Sequence, residues 1–181
     1  MRAMVDIPHG SADTARLFLA LWPGAAAREA LAAWQAAWTW PANALPVPPE
    51  RLHLTLHFLG DVRRNRLAEL GQGLASVPFS AFDLSLSRAA VWPHPDLAVL
   101  LPDAMPPRLL QLHQALRAAL QALGVRTDDR AFRPHMTLAR RAQGATPPAE
   151  APQVRWRVRE FTLVDSRPEG GGKYRVVQRY A

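Results

Sequence analysis

The sequence contains no cysteine. That excludes disulfides, thiolate metal sites and a cysteine nucleophile, and it suits a reducing compartment. Lysine is nearly missing too: Lys173 is the single one among 22 basic residues, so the other 21 are arginine. No apolar run approaches the ~20 residues that span a bilayer. The opening stretch MRAMVDIPHGSADTAR lacks the apolar segment of a secretory signal. The expectation is a cytoplasmic protein with no membrane association.

What is present is a chain of 181 residues, 49% hydrophobic, with a formal net charge of +7. This length and apolar content support one domain with a sizeable core. Nothing demands more than a monomer. The excess of arginine points toward polyanions, above all nucleic acid, although a coding bias toward Arg, Ala and Pro gives the same composition.

Hydrophobic periodicity predicts about seven strands and three helices. The strands fall at residues 15–23, 52–60, 82–92, 97–101, 135–140, 154–166 and 173–181, with 82–92 pairing to 97–101 across PHPD. The helices fall at 24–38, at 63–77 (weakened by Gly71 and Gly73) and at 106–124. The last has proline at its start and Gly124 as its stop. The proline-rich PANALPVPPE connects without a long regular element, and RPEGGG turns between the last two strands. The order is strand, helix, strand, helix, strand pair, then helix, strand, strand pair. That is α+β with antiparallel sheet, arranged as two related halves.

Two segments share a phrase. RLHLTLHFLG (51–60) holds His53, Thr55 and Leu56; FRPHMTLARR (132–141) holds His135, Thr137 and Leu138, with 135 − 53 = 82 residues between the histidines. Alternate side chains of a strand share a face, so each segment presents one imidazole beside one hydroxyl. Converging across a cleft, the four groups suit phosphoryl chemistry without a metal. One histidine acts as base and the other as acid, while the threonine hydroxyls donate to non-bridging oxygens. A single solvated strand face would give the same alternation.

These segments resemble the paired signature of the two-histidine (2H) phosphoesterase superfamily. The closer resemblance is to its RNA 2′,3′-cyclic phosphodiesterase branch, also called the 2′-5′ RNA ligase or LigT-like family. The likeness extends to RLFLALWP, VPPERLHLTLHFLGDV and FTLVDSRPEGGGKYRVV, covering roughly residues 16–179. It implies two pseudo-twofold lobes of antiparallel sheet with helices outside and the cleft between, as one bilobal domain over 16–181 after an extension at 1–15. It implies hydrolysis of RNA 2′,3′-cyclic phosphate ends to 2′-phosphates (tRNA fragments being one candidate source), with reverse 2′-5′ joining. No metal and no cofactor are implied. By position, His53 and His135 are the acid/base pair and Thr55 and Thr137 the phosphate donors. Arg140 falls where the family has a substrate-contacting arginine. Strict alternation instead puts Arg141 on the catalytic face unless a bulge intervenes; the resemblance favours Arg140, and Arg141 stays open.

His57 shares a face with His53 by alternation and is a candidate cleft residue. At ~13 Å along a strand the two cannot share a metal ion. Phe18, with Trp22, is a candidate for stacking on a base as well as for the core. His113 reads as helix packing, His94 as a turn, and Arg155, Arg157 and Arg159 as a basic stripe. Two alternatives remain: a phosphodiesterase for small cyclic nucleotides or ADP-ribose cyclic phosphate, and an RNA-binding module without catalysis.

Overall fold

The computed structural model describes residues 13–152, 154–168 and 174–181. His9 and most of the RPEGGG turn lie outside the described residues. Strand β1 (Thr14–Leu21) opens the fold, beginning two residues before the expected domain start. It is buried on both faces: Leu17, Leu19 and Leu21 point into the main core, Phe18 and Ala20 into a small second cluster. Double burial is why its sequence is a continuous apolar run.

Helix α1 (Ala25–Ala36) follows, then β2 (Leu45–Pro46), a two-residue strand inside the proline-rich connector. β3 (Leu54–Arg63) leads through a short 3-10 turn into α2 (Leu67–Ala75). Next come β4 (Phe82–Leu86), β5 (Arg88–Trp92), β6 (Leu97–Leu101), α3 (Pro107–Ala122) and β7 (Met136–Arg140). β8 (Val154–Val158), β9 (Phe161–Asp165) and β10 (Arg175–Tyr180) complete it. Gly124 does stop α3, with φ +66°.

The count therefore rises from the seven expected strands to ten among the described residues. Residues 82–92 and 154–166 each read as one alternating strand, but each breaks and changes sheet. β4 pairs with β8 in a two-stranded sheet, while β5 and β9 join the large one. Alternation continues through the break because each piece still buries one face, so period alone cannot reveal the switch. Gly71 and Gly73 have packing reasons: a Cβ at Gly73 would meet Leu123 Cδ1 at 2.7 Å, so its absence lets α2 close onto the end of α3, and a Cβ at Gly71 would collide with the Gln178 side chain.

The large antiparallel sheet runs β10-β9-β1-β3-β7-β6-β5, with β2 also on β7. Its two halves meet where Leu54 pairs with Met136. These residues are themselves 82 apart, so the local twofold of this antiparallel pair relates the two lobes. Beyond that point β3 and β7 diverge, and β2 lies along β7 instead. The divergence opens the cleft. Among the described residues no helix is long and apolar enough to cross a membrane.

Candidate active site

The register Leu54↔Met136 sets His53 opposite Thr137 and Thr55 opposite His135. The two imidazoles then sit on a diagonal, for which backbone separations are about 7–8 Å. All four side chains line one cleft of about 560 Å³.

Each imidazole is oriented the same way. His53 Nδ1 lies 2.6 Å from the carbonyl of Arg51, and His135 Nδ1 lies 2.7 Å from the carbonyl of Arg133. A carbonyl only accepts, so Nδ1 carries the proton in both and Nε2 is left for substrate. The symmetry reaches further. The Arg51 guanidinium lies over the Tyr174 ring and that of Arg133 over the Trp92 ring, at 5.3 and 4.4 Å. Tyr174 and Trp92 in turn contact His53 and His135, with ring centroids 5.6 and 4.8 Å apart. The repeated unit is thus Arg-x-His-x-Thr-Leu, two residues longer than the phrase first singled out.

Burial lowers the pKa of both histidines below the ordinary 6.5. For His53 the carbonyl of Arg51 opposes this shift, and the charges of His135 and Arg140 add to it. For His135 the carbonyl of Arg133 opposes it and the Arg133 charge adds to it. An empty cleft at neutral pH therefore holds two neutral imidazoles. A bound phosphodiester anion favours the charged form and draws a proton onto one of them.

Bulges decide which further residues face the cleft. The β1–β3 register slips between Ala20↔Thr55 and Leu19↔His57, leaving Leu56 as the extra residue. The β6–β7 register slips between Ala98↔Ala139 and Val99↔Thr137, leaving Leu138 as the extra residue. Leu56 and Leu138 are again 82 apart. Each bulge inverts the alternation beyond it. On β7 this brings Arg140, not Arg141, into the cleft wall. Arg141 ends the strand at φ +52°; its N–H donates to Asp96 O at 3.0 Å and the next N–H to Asp96 Oδ1 at 2.8 Å.

On β3 the same inversion removes His57 from the cleft and brings Phe58 in. His57 is buried behind the sheet, its Nε2–H donating to His113 O at 2.9 Å and its ring stacked 4.1 Å from that of His113. Phe58, at the position equivalent to Arg140, lines the cleft and is 68% exposed. Phe18 is buried yet also borders the cleft, 4.9 Å from the His53 ring.

Among the described residues four arginines line the cleft (Arg16, Arg51, Arg140 and Arg167, the last paired with Asp61) and no carboxylate does, so the lining described is cationic. Among the described residues neither Thr55 nor Thr137 gives its hydroxyl to a protein acceptor. Of the expected stripe Arg155, Arg157 and Arg159, the first two lie on the small sheet, where both guanidiniums approach Asp83, and Arg159 follows the end of β8. His94 is absent from the cleft wall. No group of three or more His, Asp or Glu among the described residues is placed to hold a metal ion.

A cationic cleft carrying two Nε2 atoms and two hydroxyls about a local twofold suits acid/base work on a phosphodiester. Residues 22–169 match the family model of the 2′-5′ RNA ligase superfamily. The chain belongs to this superfamily.

Its similarity to individual curated relatives covers from about half to nearly all of the chain. It is 36% identical to the RNA 2′,3′-cyclic phosphodiesterase of Escherichia coli strain K12 over 172 residues, 92% of this chain and 96% of that protein. It is 34% identical to the RNA 2′,3′-cyclic phosphodiesterase of Thermus thermophilus over 151 residues, 75% of this chain and 74% of that one. The crystal structure of E. coli LigT complexed with 3′-AMP superposes with a TM-score of 0.84 at 32% identity, covering 93% of this chain and 98% of that one. The bilobal fold expected of the superfamily is the fold observed.

The sequence reading missed Arg51, Arg133, Phe58 and Gln35. The first two were visible in the repeat, two residues before each histidine. Phe58 is the pseudo-twofold equivalent of Arg140 and was findable by aligning the two halves. Gln35 carried no signal: it is a buried glutamine on α1 whose Nε2 donates to Leu138 O at 2.7 Å and Val47 O at 2.9 Å.

Proposed function

We propose that this protein hydrolyses 2′,3′-cyclic phosphate ends of RNA to 2′-phosphates, with His53 and His135 as the acid/base pair. The observation that carries this reading is the twofold placement of both Nε2 atoms in one cationic cleft. His135 Nε2 takes a proton from water as its oxygen attacks phosphorus. The P–O3′ bond breaks, and protonated His53 gives its Nε2 proton to the departing 3′ oxygen, leaving a 3′-hydroxyl and a 2′-phosphate. Thr55 and Thr137 donate to the non-bridging oxygens, and Arg140 neutralises their charge. Run backwards with a 5′-hydroxyl in place of water, the same steps join strands 2′-5′.

The cleft volume admits a small cyclic nucleotide as readily as an RNA end, but four arginines with no carboxylate among the described lining residues favour a polyanion. Continuity of the sheet through Leu54 and Met136 supports a single functional unit over residues 16–181. The absence of cysteine suits the cytoplasm.

The test is turnover of an RNA ending in a 2′,3′-cyclic phosphate, with EDTA present. His53→Ala and His135→Ala are each expected to lower kcat by about 10²–10⁴. Full activity in either variant, or none in the parent, overturns the reading.

A further inference from the structure

A second cavity lies outside the catalytic cleft and shares a wall with it. Its volume is about 530 Å³, against about 560 Å³ for the cleft. Each is the size of a site for one small ligand, within the range of about 300–1,000 Å³. Arg51 and Tyr174, packed on each other, border both cavities. Beyond them the second cavity is bounded by Trp22, Arg28, Val176 and Arg179.

Trp22 is held rigidly. Its Nε1–H donates to Thr162 Oγ1 at 2.7 Å, and the Thr162 hydroxyl donates to Ala20 O at 3.1 Å. Its ring also touches His53, at 4.9 Å between centroids. A fixed aromatic wall suits stacking on a nucleobase. Val176 adds apolar surface, 38% exposed, at the rim.

The charges are those of a site for one anion. Among the described residues Arg28 and Arg51 make no ion pair, and the Nε of each is buried without an acceptor. Arg179 pairs with Glu160, and Glu50 also borders the cavity. Among the described lining residues three guanidiniums against two carboxylates leave one positive charge, enough for one phosphodiester. The start of α1, capped by Gly24 without a side-chain hydrogen bond and with no acidic residue in its first turn, adds N–H dipoles to the same wall.

A 2′,3′-cyclic phosphate ends its chain, so the only covalently attached neighbour is the nucleotide on its 5′ side. We propose that the second cavity binds this penultimate nucleotide, its base against Trp22 and the connecting phosphodiester held by Arg51 and Arg28. The inference rests on the proposed function and names what would distinguish an RNA end from a mononucleotide.

The test compares kcat/KM for a dinucleotide ending in a 2′,3′-cyclic phosphate with that for a mononucleoside 2′,3′-cyclic phosphate. The parent should favour the dinucleotide by at least about tenfold, the scale of one stacked base and one charge-assisted contact. Arg28→Gln removes the anion contact, and Val176→Trp fills the cavity from its exposed rim. Each should bring the ratio down to within about threefold of unity, through a higher KM for the dinucleotide. A parent ratio near one, or both variants keeping the parent's ratio, overturns the subsite while turnover of both substrates leaves the proposed function standing. No turnover of either substrate by the parent overturns both.

Discussion

Both imidazoles are fixed through Nδ1 by the carbonyl two residues earlier, so each exposes only Nε2 and no ring flip is needed during a proton transfer. Burial, first among the causes, holds both pKa values below 6.5 in the free site. Since kcat/KM reports the free enzyme, its bell should peak at or below about pH 6.5. The kcat bell should lie higher, because bound phosphate favours the charged imidazole. A kcat/KM profile with both limbs above pH 7 would contradict the environment described. The charge of His135 contributes to lowering His53, so the two limbs are read as those of the dyad rather than of either residue. Arg140 and Arg141 separate cleanly. Arg140→Met should lower kcat/KM about 10–100-fold by removing a charge-assisted contact to phosphate. Arg141→Met, outside the cleft wall, should change it less than about threefold.

The strands and helices were legible where burial is one-sided and regular. Period 2 in residues 52–60 and 135–140 placed both His-Thr pairs, and 3.6-residue spacing placed α3. The two bulges were not legible, because register is fixed by the partner strand and no side-chain pattern records a residue left unpaired. The bulges explain why His57 turns away from the cleft, against the alternation, and why Arg140 rather than Arg141 faces it. The Leu138 bulge is held from behind by Gln35, which also supports β2 through Val47. Leu138 O also accepts from the Val47 N–H at 2.7 Å, so Gln35→Leu removes one of its two donors together with the side-chain donor to Val47 O. It should cost about 0.5–1.5 kcal/mol per bond lost, read as a lower urea midpoint with an unchanged m-value. Lower activity should accompany it, since the bulge aims Arg140. Unchanged stability would show that the bulge holds itself.

Across the whole molecule the histidines make folding acid-sensitive. His57, His113 and Phe132 stack in one column between β3, α3 and the loop before β7, at 4.1 and 3.9 Å. Burial, with the charges of His57 and Arg117, pushes His113 down to about 4, and burial lowers His57 as well. Their folded pKa values lie below the unfolded 6.5, so the unfolded chain binds more protons between these limits. The stability from neutral stacking is fully present above pH 6.5 and is lost as pH falls toward 4. Each proton contributes a slope of at most about 1.4 kcal/mol per pH unit. Urea unfolding at pH 7 and pH 5 measures this, and His113→Phe should flatten the difference. Equal stability at the two pH values would remove the column as its source. The twofold through Leu54 and Met136 has a directional consequence. A phosphate on that axis meets the same imidazole and hydroxyl from either side, so the histidines alone cannot tell an incoming strand from a departing one. Polarity must be supplied by the unmatched pairs, Phe58 against Arg140 and Tyr174 with Trp22 against Trp92.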